Sequence, residues 1–371
     1  MFLNCSVKNF RGFQNFELSQ IAKVNVITGR NNVGKTALLE ALFILAGQHN
    51  PDLTTVINNM RGTAKVLIDP NEQDEYPWDS VFYGFTTSTP MELSADIGEN
   101  HLDLRFSSVR EQGELLGLSQ AVQRAFVKAS MDEKLAAKIL KMEVRKTRIT
   151  KVRHTKRHPS DAKRYFLIFD SEGKKIDPQL PPPPFLARYH VGHLRVSNAE
   201  EATRFGRLQL MGKEDLITRV LQVLEPRLKS VAIVVEAGEA RLQGDIGVSA
   251  RKFVPMHMMG EGMARLANIV MLIAATKDGV LLVDDFDGGL HYSSLPQIWK
   301  SLREALDLFN VQLFATTHRS ESVASAHEAF ADADSKTFLV HRLERTREGA
   351  VAATYDKEAV EGALEAGLEL R

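Results

Sequence analysis

One cysteine, Cys5, stands in a chain of 371 residues. No disulfide can form within the chain, which fits a reducing compartment. No apolar run approaches the ~18 residues that a membrane helix needs. The opening Met1-Phe2-Leu3-Asn4-Cys5-Ser6-Val7-Lys8 is too short and too polar for a secretory leader and reads as a strand. A cytosolic protein with no membrane contact is therefore expected. Net charge is missing as well: 47 Lys+Arg balance 47 Asp+Glu, so global charge selects no partner. The balance hides one asymmetry. Residues 138–164 hold eleven Lys/Arg against Glu143 and Asp161, a local charge of +9. What is present in bulk is 44% hydrophobic content, enough for a large core or for a core with an inserted subdomain. There is no internal repeat.

The most specific pattern is Gly29-Arg30-Asn31-Asn32-Val33-Gly34-Lys35-Thr36, a complete G-x-x-x-x-G-K-[ST] phosphate loop. The apolar run Val24-Asn25-Val26-Ile27 leads into it, and Ala37-Leu38-Leu39-Glu40-Ala41-Leu42-Phe43 leaves it with helical periodicity. Strand, loop and helix in that order turn the backbone N–H groups of the loop onto phosphates at a positive helix N-terminus. The motif predicts an ATP or GTP site, with Lys35 reaching the β- and γ-phosphates and Thr36 ligating Mg²⁺.

Strands are predicted at Phe2 to Val7, Val24 to Thr28, within 78–106 (Val81 to Phe85 and Leu102 to Phe106), and at Tyr165 to Phe169. Leu115 to Met142 reads as helical, and the β-branched residues among the cations that follow suggest a hairpin. The basic segment is a candidate for nucleic-acid backbone, or a solvated hairpin, or a dock for an acidic partner. Pro181 to Pro184 form a stiff connector. Beyond it come a helix capped by Ser197, a helix over Lys213 to Leu224, a strand at Val231 to Val235 and a helix over Glu261 to Thr276. Short apolar strands at Val280 to Val283 and Val311 to Ala315 suit the interior of a parallel sheet. Helices over Leu295 to Phe309 and Ser320 to Phe330, a late hairpin and a terminal helix capped by Asp356 complete the chain.

The strand Val280–Val283 delivers Asp284-Asp285 at its carboxyl end. Asp284 is placed to hold Mg²⁺, and Asp285 to orient or deprotonate an attacking water. Phe314-Ala315-Thr316-Thr317-His318 ends the next strand in an imidazole that can sense the γ-phosphate, although a lone histidine is more often structural. Met259-Gly260-Glu261-Gly262-Met263 opens a helix, which alone is a weak signal. His190 and His193 have a spacing open to metal, yet without Cys or nearby acids they read as ordinary histidines. Cys5 reads as buried and inert, and Met258-Met259 as packing.

Together these motifs resemble the head of the RecF/SMC/OLD branch of ABC-type ATPases, and most closely the short OLD-like bacterial members. The resemblance rests on Val7-Lys8-Asn9-Phe10-Arg11-Gly12-Phe13, the phosphate loop through Leu42, Gly260 to Leu266, Leu281 to Tyr292, and Phe314 to His318. It implies an α/β fold: an ABC-type P-loop NTPase head over residues 1–371, with a mixed central sheet, an antiparallel β-subdomain and an inserted helical part. The insertion is expected at about 107–230. Arg30, Asn31, Asn32, Val33, Gly34, Lys35, Thr36 and Ala37 would cradle ATP, with Arg11 near its base or phosphates. Thr36 and Asp284 would hold Mg²⁺, and Lys35, Asp285 and His318 would serve hydrolysis. Two copies would enclose two nucleotides, each site completed by Gly260, Glu261 and Gly262 of the other copy, giving a homodimer or higher oligomer. Where the group reads Asp-Glu, this chain has Asp284-Asp285, which opens the possibility of slow turnover. The stretch after His318 carries no acidic metal cluster, so no nuclease is expected in it. Short members of the group imply a sensor or scaffold for a separate nuclease or toxin, often in anti-phage defence. A RecF-like ATPase that binds DNA itself and a hydrolysis-poor scaffold are the alternatives.

Overall fold

The structure is a computed structural model that describes residues 1–62, 76–109, 138–149, 162–170, 173–192, 194, 196–247, 253–347 and 349–367. In chain order, strands β1 (Phe2–Phe10) and β2 (Phe13–Leu18) form a hairpin, and β3 (Val24–Gly29) runs to the phosphate loop. Helices α1 (Lys35–Gly47) and α2 (Leu53–Met60) follow, then β4 (Met91–Ile97), β5 (Asn100–Val109), β6 (Lys138–Arg148), β7 (Lys163–Asp170), β8 (Gly173–Asp177) and β9 (Ala187–His190). The chain continues as α3 (Asn198–Leu210), α4 (Glu214–Leu221), β10 (Ser230–Glu236), β11 (Glu239–Asp245), β12 (Phe253–Pro255) and α5 (Glu261–Ala275). It closes with β13 (Val280–Val283), α6 (Leu295–Leu308), β14 (Gln312–Thr316), α7 (Ser320–Ala329), β15 (Phe338–Thr346), β16 (Gly349–Tyr355) and α8 (Lys357–Glu365).

Two compact units share these elements. The first comprises Met1–Ile21, Asn32–Pro184 and Glu344–Ala352; the second comprises Ala22–Asn31, Phe185–Leu343 and Ala353–Arg371. The first unit is built on a seven-stranded antiparallel sheet in the order β2-β1-β4-β5-β6-β7-β8. Its strands alternate as a half-buried sheet requires: Met91, Leu93 and Ala95 are buried on β4, and Leu102, Leu104 and Phe106 on β5. Helix α1 packs on β1, β4 and α2.

The second unit holds a six-stranded sheet in the order β16-β15-β3-β14-β13-β9. Its strands from β15 to β9 run parallel. Every residue of β3, β13 and β14 is buried, which is why these strands read as mostly apolar runs instead of alternating ones. Helix α5 packs on α3, α4, α6 and β13. Trp299 and Phe330, with Phe286 and Phe338, fill part of the core at full burial. The antiparallel trio β10-β11-β12 forms a small separate sheet.

The expected α/β architecture is thus present: a mixed central sheet and an antiparallel β part. Ser197 and Asp356 cap their helices as predicted, accepting from the amides of Glu200 and Ala359. The basic hairpin is β6 paired antiparallel with β7, its residues 150–161 lying outside the described set. Two segments differ. Val81 to Phe85 forms 3₁₀ turns, not a strand, with Gly84 and Phe85 at positive φ breaking the extended course. The helix predicted to Met142 is a strand from Lys138 onward, because its apolar residues pair with β5 and β7; residues 115–137 lie outside the described set.

Candidate functional site

The loop begins in the second unit with Gly29, Arg30 and Asn31 and continues in the first with Asn32 to Thr36. Asn32 takes φ 61° and Gly34 φ 115°, so the backbone turns through the left-handed region twice in three residues. Gly34 is required on two counts. Its φ suits glycine alone, and a Cβ there would lie 2.6 Å from the ring of Phe13. Arg30, Asn31 and Asn32 are exposed, whereas Val33, Lys35 and Ala37 are buried. Arg11 follows β1 at φ 49°; its Nε donates to Glu40 at 3.0 Å and its Nη1 to the Ser80 carbonyl at 3.0 Å.

The acidic turn lies wholly in the second unit. The Asp284 amide donates to the carbonyl of His190 on the neighbouring strand end. Thr316, the last residue of β14, donates its hydroxyl to Asp284 Oδ1 at 2.6 Å and accepts the Asp285 amide at 2.8 Å. One hydroxyl therefore fixes both acids. Asp285 has φ 52°, a conformation uncommon for a residue other than glycine, and its side chain is half exposed. Asp287 is fully buried; it accepts from Thr317 Oγ1 at 3.1 Å, and Arg319 lies 3.6 Å away. Burial pushes its carboxyl above the usual carboxylate range, while Thr317 and Arg319 oppose this. Asp287 thus serves the interior of the turn. Phe286, between Asp285 and Asp287 in the chain, is buried with its ring 4.3 Å from that of Trp299 and tilted by 33°, which anchors the turn to the core.

His318 is exposed just beyond β14. Gly260, at φ 116°, and Glu261 are exposed at the start of α5, and Gly262 is half-buried. A cleft of about 580 Å³ lies beside this helix start, with His190, Glu201, His257, Glu261, Arg265 and Asn268 in its wall. His190 is held down to about 4, first by burial and then by the cations Arg265 and Arg204, so it is neutral near pH 7. That agrees with an ordinary structural histidine; His193 lies outside the described residues. Cys5 is buried, and burial pushes its thiol up to about 12, which keeps it a thiol. Met259 packs on the core as expected, but Met258 is 66% exposed.

Sequence reasoning missed two residues. Thr316 was visible only as part of the Thr-Thr-His run. Arg265, on α5, sends its guanidinium into the acidic turn; no spacing rule links positions 265 and 285.

A phosphate loop after β3, and an acidic turn at the carboxyl end of a buried parallel strand in the same sheet as β3, define a P-loop ATPase of the α/β class. The model of the family "AAA domain, putative AbiEii toxin, Type IV TA system" matches residues 24–324. The chain belongs to that family. It is 22% identical over 355 residues to an ATP/GTP phosphatase of Helicobacter pylori, covering 90% of each chain. A segment of 40 residues is 52% identical to the DNA replication and repair protein RecF of Bacillus mycoides, 11% of each chain. Among solved structures, an SMC head bound to the C-winged helix domain of ScpA matches with a TM-score of 0.49 at 11% identity, covering 98% of this chain and 99% of that one.

Proposed function

We propose that the chain binds and hydrolyses ATP with Mg²⁺ and uses the nucleotide to assemble with further copies of itself. In that assembly it acts as sensor or scaffold for a separate effector, a nuclease or toxin, in the manner of OLD-like anti-phage ATPases in the cytoplasm. The observation that carries this reading is the Asp284–Thr316–Asp285 arrangement, at the carboxyl end of a strand in the same parallel sheet as the strand that feeds the phosphate loop.

The loop amides from Arg30 to Ala37 cradle the phosphates, and Lys35 neutralises their charge. Arg11 would stand near the base or the phosphates. Thr36 and Asp284 would supply the hard oxygen ligands that Mg²⁺ prefers, and the Thr316 hydroxyl holds Asp284 Oδ1. When bound, Mg²⁺ draws charge from the transferring phosphoryl group. Asp285 orients the attacking water and takes its proton, and His318 registers the γ-phosphate. Gly260 and Glu261 are exposed and Gly262 is half-buried; all three would meet a second copy's nucleotide, where the start of α5 favours negative charge.

A second reading keeps the nucleotide and drops fast turnover. Asp285 is one methylene shorter than Glu, and a misplaced base can cost about 10²-fold. ATP would then clamp an assembly that is released slowly. Turnover and oligomer mass with and without ATP, for the wild type and Asp285→Glu, test both. Slow wild-type turnover with ATP-dependent assembly and a faster Asp285→Glu supports the clamp. Brisk wild-type turnover that Asp285→Glu leaves unchanged supports the motor. Absence of ATP binding overturns both.

A further inference from the structure

The acidic turn is gripped by the helix that starts at Gly260. Arg265, one turn into α5, is only 8% exposed. Its Nη1 donates to the Gly192 carbonyl at 3.2 Å. Its Nη2 donates to the Asp284 carbonyl at 3.0 Å and also to the Asp285 carbonyl. The Asp285 carboxylate stands 3.7 Å from the same nitrogen. The guanidinium occupies a socket that two glycines leave open. A Cβ at Gly192 would come within 2.8 Å of Nη2, and one at Gly288 would meet the Asp285 carboxylate first and Nη1 at 2.9 Å. Neither glycine has a left-handed φ, so space and not backbone freedom explains both. Gly262, earlier on the same helix, meets the far end of the turn: a Cβ there would lie 2.7 Å from the Gly289 carbonyl.

This is a costly arrangement. A buried guanidinium must satisfy its donors, and Arg265 Nε finds no partner among the described residues. Asp285 meanwhile holds a positive φ, which persists only where its surroundings dictate it. Arg265 and Thr316 are those surroundings, the first holding carbonyls of the turn and the second the Asp285 amide.

We propose that Arg265 is a positioning residue. It fixes the backbone of Asp284 and Asp285, and so the direction of the Asp285 carboxylate, and it ties that direction to the position of the Gly260–Gly262 loop. Hydrolysis in one copy then depends on where its own α5 start is held. The inference rests on the reading of Asp285 given under Proposed function.

The test measures kcat, KM, equilibrium ATP affinity and melting temperature for the wild type, Arg265→Lys, Gly192→Ala, Asp285→Asn and the Arg265→Lys/Asp285→Asn pair. Lysine keeps the charge but cannot bridge three carbonyls. Gly192→Ala leaves Arg265 in place and crowds its Nη2 before any other atom, and it carries the test where Arg265→Lys does not fold. The expected result is a kcat lower by about tenfold or more in both single variants, with KM and ATP affinity held within about twofold. In the Asp285→Asn background, Arg265→Lys lowers kcat no further, since it acts through Asp285. Wild-type kcat in both single variants, or a loss that multiplies with that of Asp285→Asn, overturns the inference alone. Wild-type turnover in Asp285→Asn overturns the reading of the site, and this inference with it.

Discussion

Asp96, His101 and Asp103 form a charge triad across neighbouring strands of the first unit. His101 Nδ1 lies 2.6 Å from Asp96, its directly paired residue on β4, and Nε2 lies 3.2 Å from Asp103. The bond to Asp103 raises the imidazole to about 9; burial opposes this, and Asp96 adds to it. The folded value lies above the unfolded one of 6.5. The contribution to stability is therefore complete below about pH 6.5 and fades as pH rises through about 9. Partial exposure limits it to on the order of 1 kcal/mol. Urea midpoints measured from pH 6 to 10 should fall more steeply for the wild type than for His101→Gln, and parallel curves would remove the triad's role. The alternation Leu102-Asp103-Leu104 marked the strand from sequence. It could not reveal which acids meet the histidine, because that depends on strand pairing. Arg265 and Thr316 escaped for the same reason. The places of Lys35, Asp284 and His318, each just past a strand of one sheet, were legible because short motifs fix them locally.

Elements joined by one buried group should fail together. Glu40, on α1, is 2% exposed at its side chain and takes Arg11 at 3.0 Å and Arg61 at 2.6 Å. Arg11 follows β1 and Arg61 follows α2, so a single carboxylate ties α1 to the turn after the first strand and to the end of the second helix. Removing it leaves cations without their anion, which costs on the order of 3 kcal/mol at buried sites. Removing the more exposed Arg61 costs about 1 kcal/mol or less. Denaturant unfolding of Glu40→Ala and Arg61→Ala should reproduce that order, and equal losses would show that Glu40 is no hub. From the sequence, Glu40 looked like one more polar position on a helix. Helix α1 itself was legible, as were β13 and β14, because long or fully apolar segments override ambiguous propensity. Strand β2 was missed: Asn15 and Glu17 dilute its apolar content, and its pairing with β1 is what makes it a strand.

At the scale of the whole chain, charge is the property most open to a decisive test. The +9 segment read from the sequence is less free in space than it looks. Lys141 and Arg164 both lie near Glu143, and Arg148 pairs with Glu99. Among its described residues, Arg145, Lys146 and Lys163 are exposed and make no ion pair. All three sit on the adjoining strands β6 and β7. Each phosphate contact adds about 0.9 to the steepness of log affinity against log salt. These three cations therefore support a slope of roughly −3 on duplex DNA, and changing all three to alanine should flatten it by that amount. Fluorescence anisotropy on a labelled duplex across a salt series provides the reading. A flattened slope with weaker binding places DNA on this sheet and favours the RecF-like alternative. An unchanged slope frees the sheet from DNA, so that an acidic effector is the partner its cations would serve. Neither result touches ATP turnover, which depends on residues remote from these in the sequence, so the nucleotide chemistry and the choice of partner can be decided separately.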